Sequence, residues 1–247
     1  MRVDVFFTAR EVVPGDVAGR VVAVVDVLRA SSSIAAALAN DARAVVPGET
    51  AEAVITRAQS LDRHEVRLAG ERRMRKVDGF DLGNSPLEFT REAVEGRTVL
   101  MSTTNGTVAF GATPGAREVY VGAYVNFTAV LGVLRKALRG GADLAIICAG
   151  HEGRFSLEDA ACAGRFVHHA TRRLSTVALN DAALAAVQLH RKFGADVWSL
   201  FEMSTHGQAL AQAGFAADLV ACATIDAQPV VPVYHDRQIT RLQARGR

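Results

Sequence analysis

Apolar runs of strand length, many of them β-branched, recur at positions 3–7, 21–27, 42–46, 66–69, 98–101, 118–121 and 144–148. Between most of them the apolar positions repeat with a helical period, at 32–40, 50–61, 104–112 and 126–138. That alternation predicts βαβ units around a largely parallel or mixed sheet with helices on both faces. From 156 to about 223 the pattern is helical throughout, with breaks near 179–180, 194–195, 206–207 and 214. A last apolar run at 229–234 is expected to return to the sheet. The expected fold class is α/β in three layers with a helix-rich C-terminal half. One domain spanning 1–247 is expected, the alternative being a division near 150–156 into a sheet-rich and a helical part.

In open α/β sheets ligands bind beyond the carboxyl ends of the strands, and here the polar residues collect after the predicted strands. Asp26, Arg29, Ser31 and Ser32 follow the second; Glu71, Arg72 and the loop FDLGNSPLEF with Asn84 follow the fourth. Thr103, Thr104 and Asn105 follow the fifth, and AGHEGRFSLED, with Glu152, Arg154, Glu158 and Asp159, follows the run ending at Cys148. Each hydroxyl has an ordinary reading as a helix N-cap, and Ser156 with Asp159 reads as a capping box. Collected on one edge, helix N-termini, small hydroxyls and glycines make an anion cradle.

The charged residues sharpen that reading. Asp26 ends an apolar run, where a lone carboxylate is costly to bury, so it needs a cation. Arg29 can supply one as a structural pair, and so can Mg²⁺. Asp26, Glu71, Asp81, Glu152, Glu158 and Asp159 are oxygen ligands suited to a hard cation and form no zinc pattern. His168, His169 and His206 lack ligand spacing and are expected at the surface or at a core edge. The basic run from Arg72 to Lys76 reads as a solvated loop, or as forked donors for a multiply charged small anion.

Composition excludes other classes. The 247 residues, 49% hydrophobic and 22% charged, suit a globular chain with a sizeable core. A net charge of +2 from 28 basic and 26 acidic residues leaves no electrostatic footprint for nucleic acid. Cys148, Cys162 and Cys222 are too scattered for a disulfide framework, and the N-terminus has no apolar signal segment. A cytoplasmic protein without a membrane partner is expected; its assembly is left open, a homodimer included.

Several chemistries can use such an edge. The Asp-x-Asp pair of haloacid dehalogenase phosphatases is missing, since Asp26-Val27-Leu28 stands in its place. A cysteine phosphatase signature is present, Cys148 followed at the proper spacing by Arg154, which makes a thiolate nucleophile an alternative. Glu152 inside that loop opposes it, because it repels both a thiolate and a phosphate. Metal-assisted attack by water, or by Asp26, with Arg29 and Arg154 on the phosphoryl group, is the favoured mechanism. A non-catalytic anion-binding module is the remaining reading, and it gains nothing from so many acids.

The segments VVAVVDVLRASSSI, LAGERR, GFDLGNSPLEF, STTNGT, CAGHEGRFSLEDAACAG, LNDAALAA, the His206-Gly207 pair and VVPV at 230–233 run in order along the chain. Together they resemble the 2-phosphosulfolactate phosphatase family of coenzyme M biosynthesis. The resemblance implies an α/β fold of the family's own, a Mg²⁺ cofactor, and hydrolysis of 2-phospho-3-sulfolactate to 3-sulfolactate and phosphate. Its motifs contain Asp26, Arg29, Glu71, Asn84, Thr103, Thr104, Asn105, Glu152, Arg154, Glu158 and Asp159.

Overall fold

A computed structural model of the protein describes residues 1–174 and 176–243. The predicted strands form as β1 (Arg2–Phe6), β2 (Val21–Val25), β3 (Ala44–Pro47), β4 (Val66–Arg72), β6 (Thr98–Ser102), β7 (Glu118–Gly122) and β8 (Leu144–Cys148). Three short strands escape the pattern: β5 (Arg75–Lys76), β9 (Ala178–Leu179) and β11 (Gln238–Arg241). The last predicted run becomes β10 (Pro232–His235), which turns back into β11 as an antiparallel hairpin.

All lie in one 11-stranded sheet ordered β5-β4-β6-β3-β11-β10-β7-β2-β8-β1-β9. It is mixed, because the C-terminal hairpin inserts antiparallel between β3 and β7 and joins two parallel blocks. Central strand β2 is buried on both faces, VVAVV throughout, as a doubly covered parallel strand requires. Its alternate residues feed opposite cores: Val21, Ala23 and Val25 pack on one face, Val22 and Val24 on the other.

The helices sort onto the two faces accordingly. On the first lie α6 (Phe127–Arg139), α7 (Leu157–Thr171), α8 (Asp181–Phe193) and α9 (Val197–Met203). On the second lie α2 (Ala30–Ala39) and α5 (Gly106–Gly111), while α3 (Ala51–Ala58) covers a smaller third cluster with Val46, Leu68 and Leu100. The helix-rich stretch closes with α10 (Thr205–Gln212) and α11 (Ala216–Ala223), and single turns form α1 (Pro14–Val17) and α4 (Arg91–Val94). Thr50, Ser156, Asn180, Asp196 and Ser204 each cap the helix that follows, accepting from a backbone N–H of its first turn. No helix among the described residues is long and apolar enough to cross a membrane.

Candidate active site

The loops after β2, β4, β6 and β8 converge at the carboxyl edge of the parallel strands and enclose a pocket with the start of α10. Asp26, Arg29, Glu71, Asn84, Thr103, Thr104, Asn105 and Glu152 all line it, drawn together from across the chain. Five further residues line it, Leu28, Arg73, Met74, His151 and His206, of which only Arg73 had an expected role, as a donor within the basic run.

Asp26 is 5% exposed. Its Oδ1 accepts from the Ala30 N–H at 3.1 Å, and its own N–H donates to Ser31 Oγ at 2.9 Å. Burial pushes the Asp26 carboxyl up to about 6; His206 pulls against this, and the charges of Glu71 and Glu158 add to it. Gly106 makes the packing around it possible: a Cβ there would lie 2.8 Å from Asp26 Oδ2 and 2.6 Å from the Ala30 Cβ.

The expected Asp26–Arg29 pair does not form. Arg29 Nη1 bonds Asp218 of α11 at 2.6 Å, Nη2 donates to the Met74 carbonyl at 3.0 Å, and the guanidinium lies 4.3 Å over the Phe215 ring. Asp218 also accepts from Ser85 Oγ at 2.6 Å. A buried arginine held by a carboxylate and an aromatic face is a fixed cation on the wall. Sequence spacing could not reveal a partner 189 positions away.

Glu71 joins two loops, accepting from the Thr104 N–H through Oε1 and from the Met74 N–H through Oε2, each at 2.8 Å. The second bond braces the β4–β5 turn, where Arg73 (φ 51°) and Met74 (φ 67°) are both left-handed. That is the geometry of a two-residue hairpin turn, adopted here without the glycine or asparagine that favours it. It puts Arg73 on the pocket rim, while Arg72 turns away to Ser102 Oγ at 2.8 Å. The expected role of Arg72 therefore falls to its neighbour.

On the opposite wall the rings of His151 and His206 stack with centroids 4.1 Å apart. His206 Nδ1 meets Glu158 Oε1 at 3.1 Å, and Glu158 is 1% exposed. Burial raises the Glu158 carboxyl, but the His206 bond and charge and the first turn of α7 outweigh it and hold the group below its ordinary value. His151 is lowered by burial and by His206. Glu152, itself left-handed at φ 52°, donates its N–H to Asn105 Oδ1 at 3.0 Å, which ties the β6 and β8 loops. His206, expected at the surface or a core edge for want of ligand spacing, is instead buried on the pocket, because its glutamate is supplied by another helix; its signals in the sequence were the helix break and the His206-Gly207 pair among the family-like motifs.

Several expected site residues are placed elsewhere. Ser31 and Ser32 are spent on the turn, Ser31 as acceptor for Asp26 and Ser32 donating to the Val27 carbonyl at 2.8 Å. Asp159 does not line the pocket: its oxygens accept from the Val27 and Gly150 N–H groups at 2.8 and 3.1 Å, binding the β2 loop to the β8 loop. Burial, then Asp26 and Glu158, push its carboxyl well above the usual range. Asp81 pairs with Arg63 at 2.6 Å and does not line the pocket. Cys148 is fully buried in the core, with its thiol pushed far up by burial, and Arg154 is exposed, its backbone paired with His151. The cysteine phosphatase alternative fails on this geometry, since the thiol does not reach the pocket and has no charge to stabilise a thiolate.

Carboxylates and guanidinium groups that share one pocket at the strand ends suit phosphoryl chemistry, and comparison with known proteins agrees: the chain is an α/β phosphatase. It belongs to the 2-phosphosulpholactate phosphatase family, whose model matches residues 6–237. Relatives named probable 2-phosphosulfolactate phosphatase are similar over almost their whole length. That of Symbiobacterium thermophilum is 39% identical over 92% of this chain and 97% of its own. That of Gloeobacter violaceus is 40% identical over 94% of each chain. That of Clostridium beijerinckii is 34% identical over 97% of this chain and 99% of its own.

Proposed function

We propose that the protein hydrolyses the phosphate monoester of a small, multiply anionic 2-hydroxy acid, 2-phospho-3-sulfolactate, to 3-sulfolactate and inorganic phosphate, with Mg²⁺ as cofactor. The family and the names of the relatives support the substrate. The observation that carries the chemistry is one pocket holding Asp26, Glu71 and Glu152 beside Arg29 and Arg73. Carboxylates around an anion repel it unless a cation stands between them.

The donor set fits a hard divalent cation. Asn84 Oδ1 is buried on the pocket wall without a hydrogen-bond partner, and the raised Asp26 carboxyl is that of a buried acid short of positive charge. Mg²⁺ takes one or two carboxylates and keeps several waters. Asp26 with Glu71 or Glu152 would hold it, Asn84 offering a further oxygen. Such an ion supplies Lewis acidity to the phosphoryl oxygens and an activated water.

The chain's own residues do the rest. Arg29, immobilised by Asp218 and Phe215, presents a fixed positive charge to the phosphoryl group; the rim arginine Arg73 takes the carboxylate or sulfonate as a forked donor. Thr103, Thr104 and Asn105 orient the bound ester. When the water oxygen bonds phosphorus and the ester P–O bond breaks, the leaving 2-oxygen needs a proton. His206, held through Nδ1 by Glu158, supplies it from Nε2.

The test is phosphate release from 2-phosphosulfolactate with Mg²⁺, with Mn²⁺ and in excess chelator. Activity that needs either ion and vanishes on chelation is expected, together with at least about a hundredfold loss in Asp26→Asn, the scale for removing a catalytic charge. Full activity in chelator overturns the metal assignment. Cleavage of a generic aryl phosphate but not of 2-phosphosulfolactate overturns the substrate.

A further inference from the structure

We infer that His168, His169 and His190 form a second metal site, far from the active pocket, which takes a borderline transition-metal ion of the Zn²⁺ class. One ring nitrogen from each lies within 4.8 Å of the others, and the ring centroids are 5.0, 5.4 and 5.6 Å apart. Three imidazoles around a tetrahedral ion at about 2.0–2.1 Å need nitrogens about 3.3 Å apart. Small side-chain rotations of half-buried rings cover that difference.

Two helices build the cluster. Gly164 of α7 packs so closely on the Ala186 carbonyl of α8 that a Cβ would collide with it. That register carries four residues on to His168 beside His190, so the helices run side by side in the same direction. Both therefore end here: His168 and His169 lie in the last turn of α7, and His190 in the last turn of α8. The negative ends of two helix dipoles favour a cation at this spot. Glu158, which holds the pocket residue His206, is at the other end of α7, about 15 Å along the axis at 1.5 Å per residue.

An independent observation points to a ligand. His190 Nδ1 is buried without a hydrogen-bond partner, that edge of the ring packed over Gly194. Protonated histidines capping the helix ends are the competing reading, and it fails because three rings packed with centroids 5.0 to 5.6 Å apart would each carry a positive charge against the others. Neutral imidazoles keep the lone pairs a metal needs. The charged groups acting on the cluster are Arg165, Arg172, Arg135 and Arg191, all cationic. Arg165 is turned partly away, its guanidinium 4.6 Å over Phe127 and an Nη donating to the Gly194 carbonyl. These arginines temper affinity, and three nitrogen donors exclude Mg²⁺ and Ca²⁺ in favour of Zn²⁺, Co²⁺, Ni²⁺ or Cu²⁺.

The experiment titrates Co²⁺ into chelator-stripped full-length protein held in excess Mg²⁺, reading visible d–d absorption. The wild type and Asp26→Asn are expected to show the same tetrahedral spectrum at one ion per chain. His190→Ala is expected to weaken that binding at least tenfold. Loss of the spectrum in Asp26→Asn with retention in His190→Ala overturns the proposal, because the ion then sits in the active pocket. Should His190→Ala not fold, diethyl pyrocarbonate labelling of the wild type decides. Zn²⁺ is expected to protect His168, His169 and His190 together, and unchanged labelling of all three overturns the site.

Discussion

His206 on the pocket wall meets Glu158 behind it at 3.1 Å, joining a helix start at position 205 to one at 157, so Glu158, expected as a metal ligand, is used on the histidine instead. Both residues are buried, so the carboxylate fixes the orientation of the imidazole. His206→Ala is expected to lower kcat by about 10²–10⁴, the range of a general acid. Glu158→Gln keeps a hydrogen bond but not the charge and is expected to cost about tenfold in kcat with KM little changed. A near-normal kcat in His206→Ala would remove the histidine from the mechanism.

The two halves of the cysteine signature part company in space. Cys148→Ser, in a closed core, is expected to retain activity within about tenfold, and Arg154→Lys, at an exposed position, to change it little. Arg73→Ala is expected to raise KM about tenfold, because Arg73 is the rim arginine. A phosphocysteine trapped by acid quench during turnover would contradict all of this.

A Cβ on Gly106 would lie 2.8 Å from Asp26 Oδ2, closer than a side chain tolerates. Gly106→Ala is expected to destabilise the protein by about 1–3 kcal/mol, as overpacking does, and to lower kcat by displacing the Asp26 carboxylate. Melting and turnover measured on one preparation check it; an unchanged kcat would show that Asp26 yields without consequence.

In metal-free protein the Asp26 carboxyl titrates at about 6, against 3.8 for the ordinary group, because it is buried. The folded state therefore binds the extra proton, and this contribution to stability is fully present below 3.8 and lost as pH rises through about 6. The loss is roughly 2–3 kcal/mol at 1.36 kcal/mol per pKa step. Asp26→Asn has no such proton to lose. Its melting temperature in chelator is expected to gain on the wild type between pH 4 and pH 7, and parallel pH profiles of the two proteins would refute the shift.

Much of the fold was legible before any coordinates. Uninterrupted apolar runs such as VVAVV mark strands covered on both faces, and the helical period between them dictates βαβ units. The C-terminal hairpin was not legible as such, because the short, half-exposed QITR carries a weak signal. Its insertion between β3 and β7 depends on an open edge on each of two parallel blocks, and local sequence does not encode that.

For the site, the chain by itself determined which strand ends carry the chemistry: Asp26, Glu71, Thr103, Thr104, Asn105 and Glu152 all stand at or just after the carboxyl ends of strands and all reach the pocket. Parallel strands bring their carboxyl ends to one edge, so position along the sequence already implies proximity. Only the tertiary structure decided which polar groups are free for a ligand and which are used up in holding the loops. Ser31, Ser32 and Asp159 satisfy backbone donors and acceptors nearby, Arg29 takes Asp218, and His206 takes Glu158. A buried polar group must find its partner wherever the fold puts one, and those partners lie up to 189 positions away.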